Sequence, residues 1–351
     1  MCYDIVFITN IPSFYKINLY NILAEKLKIK VIFISTTSEI RKGDFYKGNM
    51  HFEHVFISDS SYETRSKLRC LMKISTILNG CNYRKIVYPG WEVKELFFLS
   101  LLTSKKSNCV AVESSILETK KTGIVWWVKK IFLKRMSTGL PSGDLQAEIF
   151  RLMGFKGQLV YTNGVGVLNE SFYKKSKHQS KEINSSLNYL YVGRISEEKN
   201  LKLLCEVFSS SARRLTIVGY GPQEEELMEK YHKDIVFLGE KNNDELKKIY
   251  EEHQVFILPS KSEPWGLVVE EALCSGLPVV VSDMVGSKNE LVTNKSTGVI
   301  FKYDDKKSLL TALEKIEQNY VFYKHSVNQI DVQALLYEKI TPYFKLTKGE
   351  I

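Results

Sequence analysis

Residues 258–283, LPSKSEPWGLVVEEALCSGLPVVVSD, carry the reading of the fold. An apolar run at 255–258 reads as a buried strand and residues 278–281 as the next, since short apolar stretches bounded by turn residues mark strands covered on both faces. The segment between them reads as a loop followed by a helix. Glu263 and Glu271, with seven residues between them, straddle that loop-to-helix turn. Pro264, Trp265, Gly266 and Leu267 form a bend whose free N–H groups, at the positive end of a helix, suit an anion or a sugar hydroxyl. Ligands of open α/β sheets sit at the carboxyl ends of the strands, which is where this bend falls. Two glutamates near a helix start can also do no more than complement its dipole.

Upstream, residues 189–194, YLYVGR, form an apolar strand ending in Gly193-Arg194. Lys199 follows at the start of an amphipathic helix over 201–208. A diphosphate needs such a pair, because a guanidinium engages two oxygens at once and an ammonium adds a compact charge. Residues 215–221, LTIVGYG, run from a strand into a Gly219-x-Gly221 turn that lets backbone approach a ligand closely. The third glycine of a dinucleotide fingerprint is missing, which argues against a nicotinamide cofactor.

The order of these segments resembles the retaining family-four glycosyltransferases. Glu263, Gly266, Leu267, Glu271, Ala272, Gly276, Leu277, Pro278 and Val279 stand where that family carries its E-x7-E segment and the following strand, and Gly193-Arg194 through Lys199-Asn200 resembles its diphosphate motif. The resemblance implies a GT-B fold: two Rossmann-like doubly wound parallel-sheet α/β domains facing across a cleft. It also implies that Glu271 grips the ribose of a nucleotide-sugar donor, and that Glu263 faces the transferred sugar and the diphosphate. Arg194 and Lys199 then neutralise the leaving group, with Gly219, Gly221, Trp265, Gly266 and Leu267 on the donor side; Trp265 either walls the pocket or packs the turn. Residues 236–239 and 283–298 resemble the family's next elements, with Gly286-Ser287 in place of the common glycine pair.

The chain has 351 residues and 44% hydrophobic content, enough for two cores. Expected boundaries are an acceptor-binding domain at 1–172, a polar linker at 173–186, a donor-binding domain at 187–319 and a C-terminal segment at 320–351. Within that segment one helix, over 320–337, is expected to cross back to the N-terminal domain. In the N-terminal block, strands are expected at 4–9, 31–35, 85–88, 109–113 and 158–162, with a helix near 15–27; strands alternating with helices indicate parallel sheets.

Acceptor contacts are less explicit. Residues 10–23, NIPSFYKINLYNIL, resemble a variant of the family's glycine-rich loop in which Pro12, Phe14 and Tyr15 replace glycines. Tyr15 and Lys16 either contact sugar and phosphate or cap and solvate the helix. The chain has no histidine between His54 and His178, where relatives carry one near the reacting sugar, and Glu113 is the candidate polar contact there. A helix-capping role for Glu113 is equally open. Asn163 to Gly166 resembles the turn that ends the N-terminal domain, with Gly166 where Asp is frequent.

Six scattered cysteines fit reduced thiols in a cytoplasmic protein. No signal peptide is apparent, and no apolar run is long enough to span a bilayer. The net charge of +9 requires an anionic partner. Nucleic acid is not expected, since no helix-turn-helix, RNA-binding aromatic motif or zinc framework is present. Residues 126–135, WWVKKIFLKR, combine two tryptophans with four cations and suit an anionic membrane surface, although an ordinary helix with a basic face has the same pattern.

The reaction expected from the resemblance is a retaining, metal-independent transfer of a hexose-type sugar from a UDP- or GDP-sugar to a glycan or lipid-linked acceptor in surface polysaccharide assembly. No cofactor or metal is expected, because no Asp-x-Asp motif accompanies the two cations. The alternatives are a GT-B nucleotide-sugar epimerase and a non-catalytic scaffold of a polysaccharide assembly complex.

Overall fold

A computed structural model describes residues 2–39, 48–91, 93–174 and 187–348. Most of the expected linker, residues 175–186, lies outside the described residues. The chain divides into two compact units, one formed by residues up to Leu168 together with those from Ala334 onward, the other by Asn169–Gln333. The division therefore falls a few residues before position 172, and residues 320–333 group with the second unit.

The first unit is built on β1 (Cys2–Thr9), α1 (Phe14–Ala24), β2 (Ile29–Thr37), β3 (Glu53–Ser61), α2 (Lys67–Asn79), β4 (Asn82–Tyr88), α3 (Glu95–Leu102), β5 (Asn108–Val112), α4 (Ile124–Lys134), β6 (Thr138–Pro141), α5 (Asp144–Leu152) and β7 (Gln158–Leu159). The strands form one parallel sheet in the order β3-β2-β1-β4-β5-β6-β7. The middles of the central strands are apolar: Ile5, Val6, Ile32, Phe33, Ile86 and Val110 are fully buried, as a sheet covered on both faces requires.

The second unit follows the same plan with α6 (Glu170–Tyr173), β8 (Asn188–Val192), α7 (Leu201–Ser209), β9 (Arg214–Val218), α8 (Glu224–Tyr231), β10 (Val236–Phe237), α9 (Asn243–Glu252), β11 (Val255–Leu258), α10 (Leu267–Cys274), β12 (Val279–Ser282), β13 (Gly298–Phe301), α11 (Lys306–Gln318) and α12 (Tyr320–Asn328). Its parallel sheet runs β10-β9-β8-β11-β12-β13. Strand order reverses between β1 and β4 in one unit and between β8 and β11 in the other. Those junctions are the switch points at which doubly wound sheets leave a crevice for a ligand.

The helix expected over 320–337 is two helices. α12 stops at Asn328, and α13 (Val332–Lys348) begins after Asp331, whose carboxylate accepts the Gln333 N–H at 2.9 Å and so caps a new helix start. From Ala334 onward α13 belongs to the first unit, where Tyr343 meets Phe7 edge-on at 5.7 Å between ring centroids.

Candidate active site

In the second unit the loops leaving β8, β9, β11 and β12 are stitched together by their backbones. Gly193 and Ile195 donate N–H bonds to Val218 (3.0 Å) and Tyr220 (2.8 Å), Lys261 donates to Glu198 (2.8 Å), and Gly286 donates to Glu263 (2.8 Å). Gly219 makes this possible. Its φ is +140°, and a Cβ there would lie 1.8 Å from the Gly193 carbonyl oxygen, so no other residue fits. The buried Tyr191 hydroxyl donates to the Arg194 carbonyl at 2.7 Å and fixes the turn from below. This is the carboxyl end of the β8–β11 switch point, so the sequence-predicted donor residues do converge there.

Arg194 and Lys199 both carry carboxylate partners. Lys199 Nζ lies 2.5 Å from Glu263 Oε2, both side chains being largely buried, and Arg194 Nη2 lies 2.6 Å from Glu198 Oε1 on the more open side. Partial burial works against ionisation of Glu198. The Ser196 hydroxyl and its own backbone N–H close by, with Arg194 and Lys199, outweigh it and hold the carboxyl below its ordinary value. A short 3-10 turn, Glu197–Lys199, aims these side chains, and Asn200, at φ 60°, starts α7 while its amide donates to the Tyr303 carbonyl at 2.8 Å.

Glu271 is buried inside α10 and accepts a hydrogen bond from the Tyr250 hydroxyl at 2.9 Å. Burial pushes its pKa up to about 7; the Tyr250 bond opposes the rise and the neighbouring Glu270 adds to it. Gly266, at φ +93°, turns the chain into the helix, and Leu267 is its first residue. The Trp265 ring is almost wholly buried and its indole N–H donates to Glu270 Oε1 at 2.8 Å, a contact that packs and pins the turn. Glu198, Tyr250 and Glu270 were not singled out from the sequence; the ring of Tyr250 reaches Glu271 from α9, 21 residues earlier, and no local spacing announces that contact.

In the first unit, Lys16 at the start of α1 and Glu113 just after β5 form an ion pair through Nζ and Oε1. Burial alone would lower the Lys16 pKa, but Glu113, with Tyr20, Tyr15 and Tyr343 around it, raises it above the ordinary lysine value. Tyr15 is held by the turn that ends the unit: Val167 N–H donates to its carbonyl at 2.9 Å, and a Cβ at Gly166 would lie 2.5 Å from its ring. A side chain at position 166 would therefore displace Tyr15. The three acceptor-side candidates thus occupy one corner of the first sheet, two of them neutralising each other.

Residues 173–331 match the family model described as Glycosyl transferases group 1. The sulfoquinovosyl transferase SQD2 of Arabidopsis thaliana is 35% identical over 208 residues, covering 54% of this chain and 41% of that protein. Alignments cover 41%, 40% and 66% of the lengths of the first curated relatives. Among solved structures, sucrose-phosphate synthase of Thermosynechococcus elongatus superposes with a TM-score of 0.73 at 18% identity over 99% of this chain and 98% of that one. Anabaena HepE, solved in complex with UDP-glucose, gives 0.70 at 13% identity over 99% of each chain. These likenesses establish the fold as two parallel-sheet, Rossmann-like α/β domains of the GT-B kind.

Proposed function

We propose that this chain is a glycosyltransferase that moves a hexose-type sugar from a nucleoside-diphosphate sugar to a glycan or lipid-linked acceptor, with retention and without a metal. The observation that carries the reading is the meeting of Arg194, Lys199 and Glu263 on backbone-stitched loops at the β8–β11 switch point, within the segment that matches the family model. Departure of a nucleoside diphosphate loads negative charge onto the β-phosphate, and fixed cations stabilise that charge where it develops. Arg194 and Lys199 supply it by exchanging Glu198 and Glu263 for phosphate oxygens. Glu263, released from Lys199, is then an acceptor for hydroxyls of the transferred sugar.

A double displacement through a glycosyl-enzyme needs a carboxylate exposed to the anomeric carbon. Glu271 is buried and bonded to Tyr250, which fits ribose binding better than nucleophilic attack. With Glu263 engaged by hydroxyls of the transferred sugar, we assign retention to front-face attack, the acceptor proton passing to the departing phosphate. A cytoplasmic, membrane-peripheral role in surface polysaccharide assembly belongs to the same reading.

The test is incubation with a panel of UDP- and GDP-sugars, with and without glycan acceptors, followed by mass spectrometry and determination of the product anomer. Acceptor-dependent release of nucleoside diphosphate with an unchanged anomer is expected. Acceptor-independent epimer formation would convert the reading to an epimerase, and failure to bind any nucleoside diphosphate would leave a scaffold.

A further inference from the structure

Two helices of the first unit expose apolar side chains that its core does not use. On α3, Leu96 and Leu99 are buried, but Phe98, Leu101 and Leu102, spaced i, i+3 and i+4, face solvent, with Phe98 59% and Leu102 71% exposed. On α4, Phe132 and Leu133 are buried while Ile124, Val125, Trp127 and Val128 are exposed, Ile124 at 81% and Trp127 at 63%. The helices hold each other. Phe97 and Phe132 ring centroids lie 6.4 Å apart, and the Arg135 guanidinium donates to the carbonyls of Ser100 and Thr103, both at 3.1 Å. Trp126 packs against the core, so the outward tryptophan of the pair is Trp127.

Charge accompanies the apolar surface. Residues 94–135 carry nine Lys and Arg against three Glu. Two of the three are already neutralised, Glu95 by Arg65 at 2.9 Å and Glu113 by Lys16. Lys105 and Lys106 follow α3, Lys120 and Lys121 precede α4, and Lys130 and Lys134 lie on it, all exposed. Protein interfaces are depleted in lysine at such a density, and a nucleic acid reached mainly through phosphate and base-edge contacts offers little to a row of exposed aliphatic Leu, Ile and Val side chains. Apolar side chains with tryptophan, ringed by lysine, match the boundary of an anionic bilayer.

We infer that α3 and α4 together form a two-helix membrane-insertion surface, with Phe98, Leu101, Leu102, Ile124 and Trp127 entering the headgroup and acyl boundary and the flanking lysines binding anionic headgroups. This goes beyond the basic run at 126–135, because α3 supplies a second apolar row that gives binding a salt-resistant part. It is independent of the sugar chemistry, and its test reads no activity.

The test is sedimentation of the full chain with vesicles of phosphatidylcholine, with or without phosphatidylglycerol, at low and high salt. Wild type should bind only the vesicles containing phosphatidylglycerol and keep a measurable fraction bound at high salt. Lys120, Lys121, Lys130 and Lys134 changed together to Gln should lose the salt-sensitive part, about fivefold for each charge at the surface. Phe98, Leu102 and Trp127 changed together to Ser should lose the salt-resistant part, tenfold or more, with an unchanged circular dichroism spectrum because none of the three supports the core. Wild-type binding that ignores phosphatidylglycerol, or equal binding by the Ser variant, overturns the inference. So does a dimer that the Ser variant dissociates while wild type binds no vesicle, which would make the face a contact between copies of the chain.

Discussion

The Lys199 ammonium and the Glu263 carboxylate, 64 positions apart in sequence, stand 2.5 Å from one another where β8 and β11 end side by side. The pair is largely shielded from water, so removing one partner leaves the other as an uncompensated charge. Lys199→Ala should therefore cost stability as well as nucleoside-diphosphate affinity, the lost charge-assisted contact alone being worth about 1.5 to 3 kcal/mol. Glu263→Gln keeps an acceptor for Lys199 and should chiefly lower kcat. Calorimetric titration with UDP or GDP and a thermal melt of each variant separate the two effects; a Lys199→Ala protein with wild-type affinity would dismiss the diphosphate site.

Glu198 makes the opposite prediction. It engages Arg194 at 2.6 Å on the more open side of the site, so an incoming diphosphate must compete with it. Glu198→Gln should tighten nucleoside-diphosphate binding by up to about fivefold, the scale of a solvent-screened pair. Weaker binding in this variant would mean that Glu198 orients Arg194 for the phosphate rather than occupying it.

Much of this site was legible because its elements are extreme in sequence. VFIL, VVV and YLYV are unbroken apolar runs within β11, β12 and β8, and the glutamates and cations sit beyond the ends of β11 and β8. Less extreme elements were not found. β3, EHVFISDSS, lies at the sheet edge and buries little of itself, while β6, TGLP, is four residues containing Gly and Pro, both of which argue against a strand interior. Partner choice was also hidden: Trp265 turning inward to Glu270 and Arg194 closing on Glu198 both depend on turn geometry that residue types do not specify.

Backbone approach, rather than flexibility, is what Gly219 supplies, and a comparison within the chain can show it. Gly154 also has positive φ, +67°, but a Cβ there would meet nothing within 4 Å. Gly154→Ala should cost only the backbone term, about 1 to 2 kcal/mol. Gly219→Ala adds a collision with the Gly193 carbonyl and should cost about 2 to 5 kcal/mol while disrupting the loops that carry Arg194. Chemical denaturation of both variants checks the ranking, and equal costs would deny the close contact.

Glu271 gives the pH prediction. Its pKa is raised from 4.5 to about 7, chiefly by burial, so folding disfavours the ionised form. The sign follows: the stability tied to the protonated carboxyl is fully present below pH 4.5 and is lost as pH rises through 7, a change on the order of 3 kcal/mol. Glu271→Gln removes this titration while leaving an acceptor for Tyr250. The unfolding free energy of the variant, from chemical denaturation, should therefore gain on that of wild type between pH 5 and pH 8, on the order of the same 3 kcal/mol. Ligand binding should move the other way. Ribose hydroxyls bond more strongly to a carboxylate than to a carboxylic acid, so wild-type affinity for UDP should rise between pH 6 and pH 8 by more than that of Glu271→Gln, the comparison cancelling titration of the nucleotide itself. Parallel pH profiles for the two proteins would mean that Glu271 does not hold the ribose.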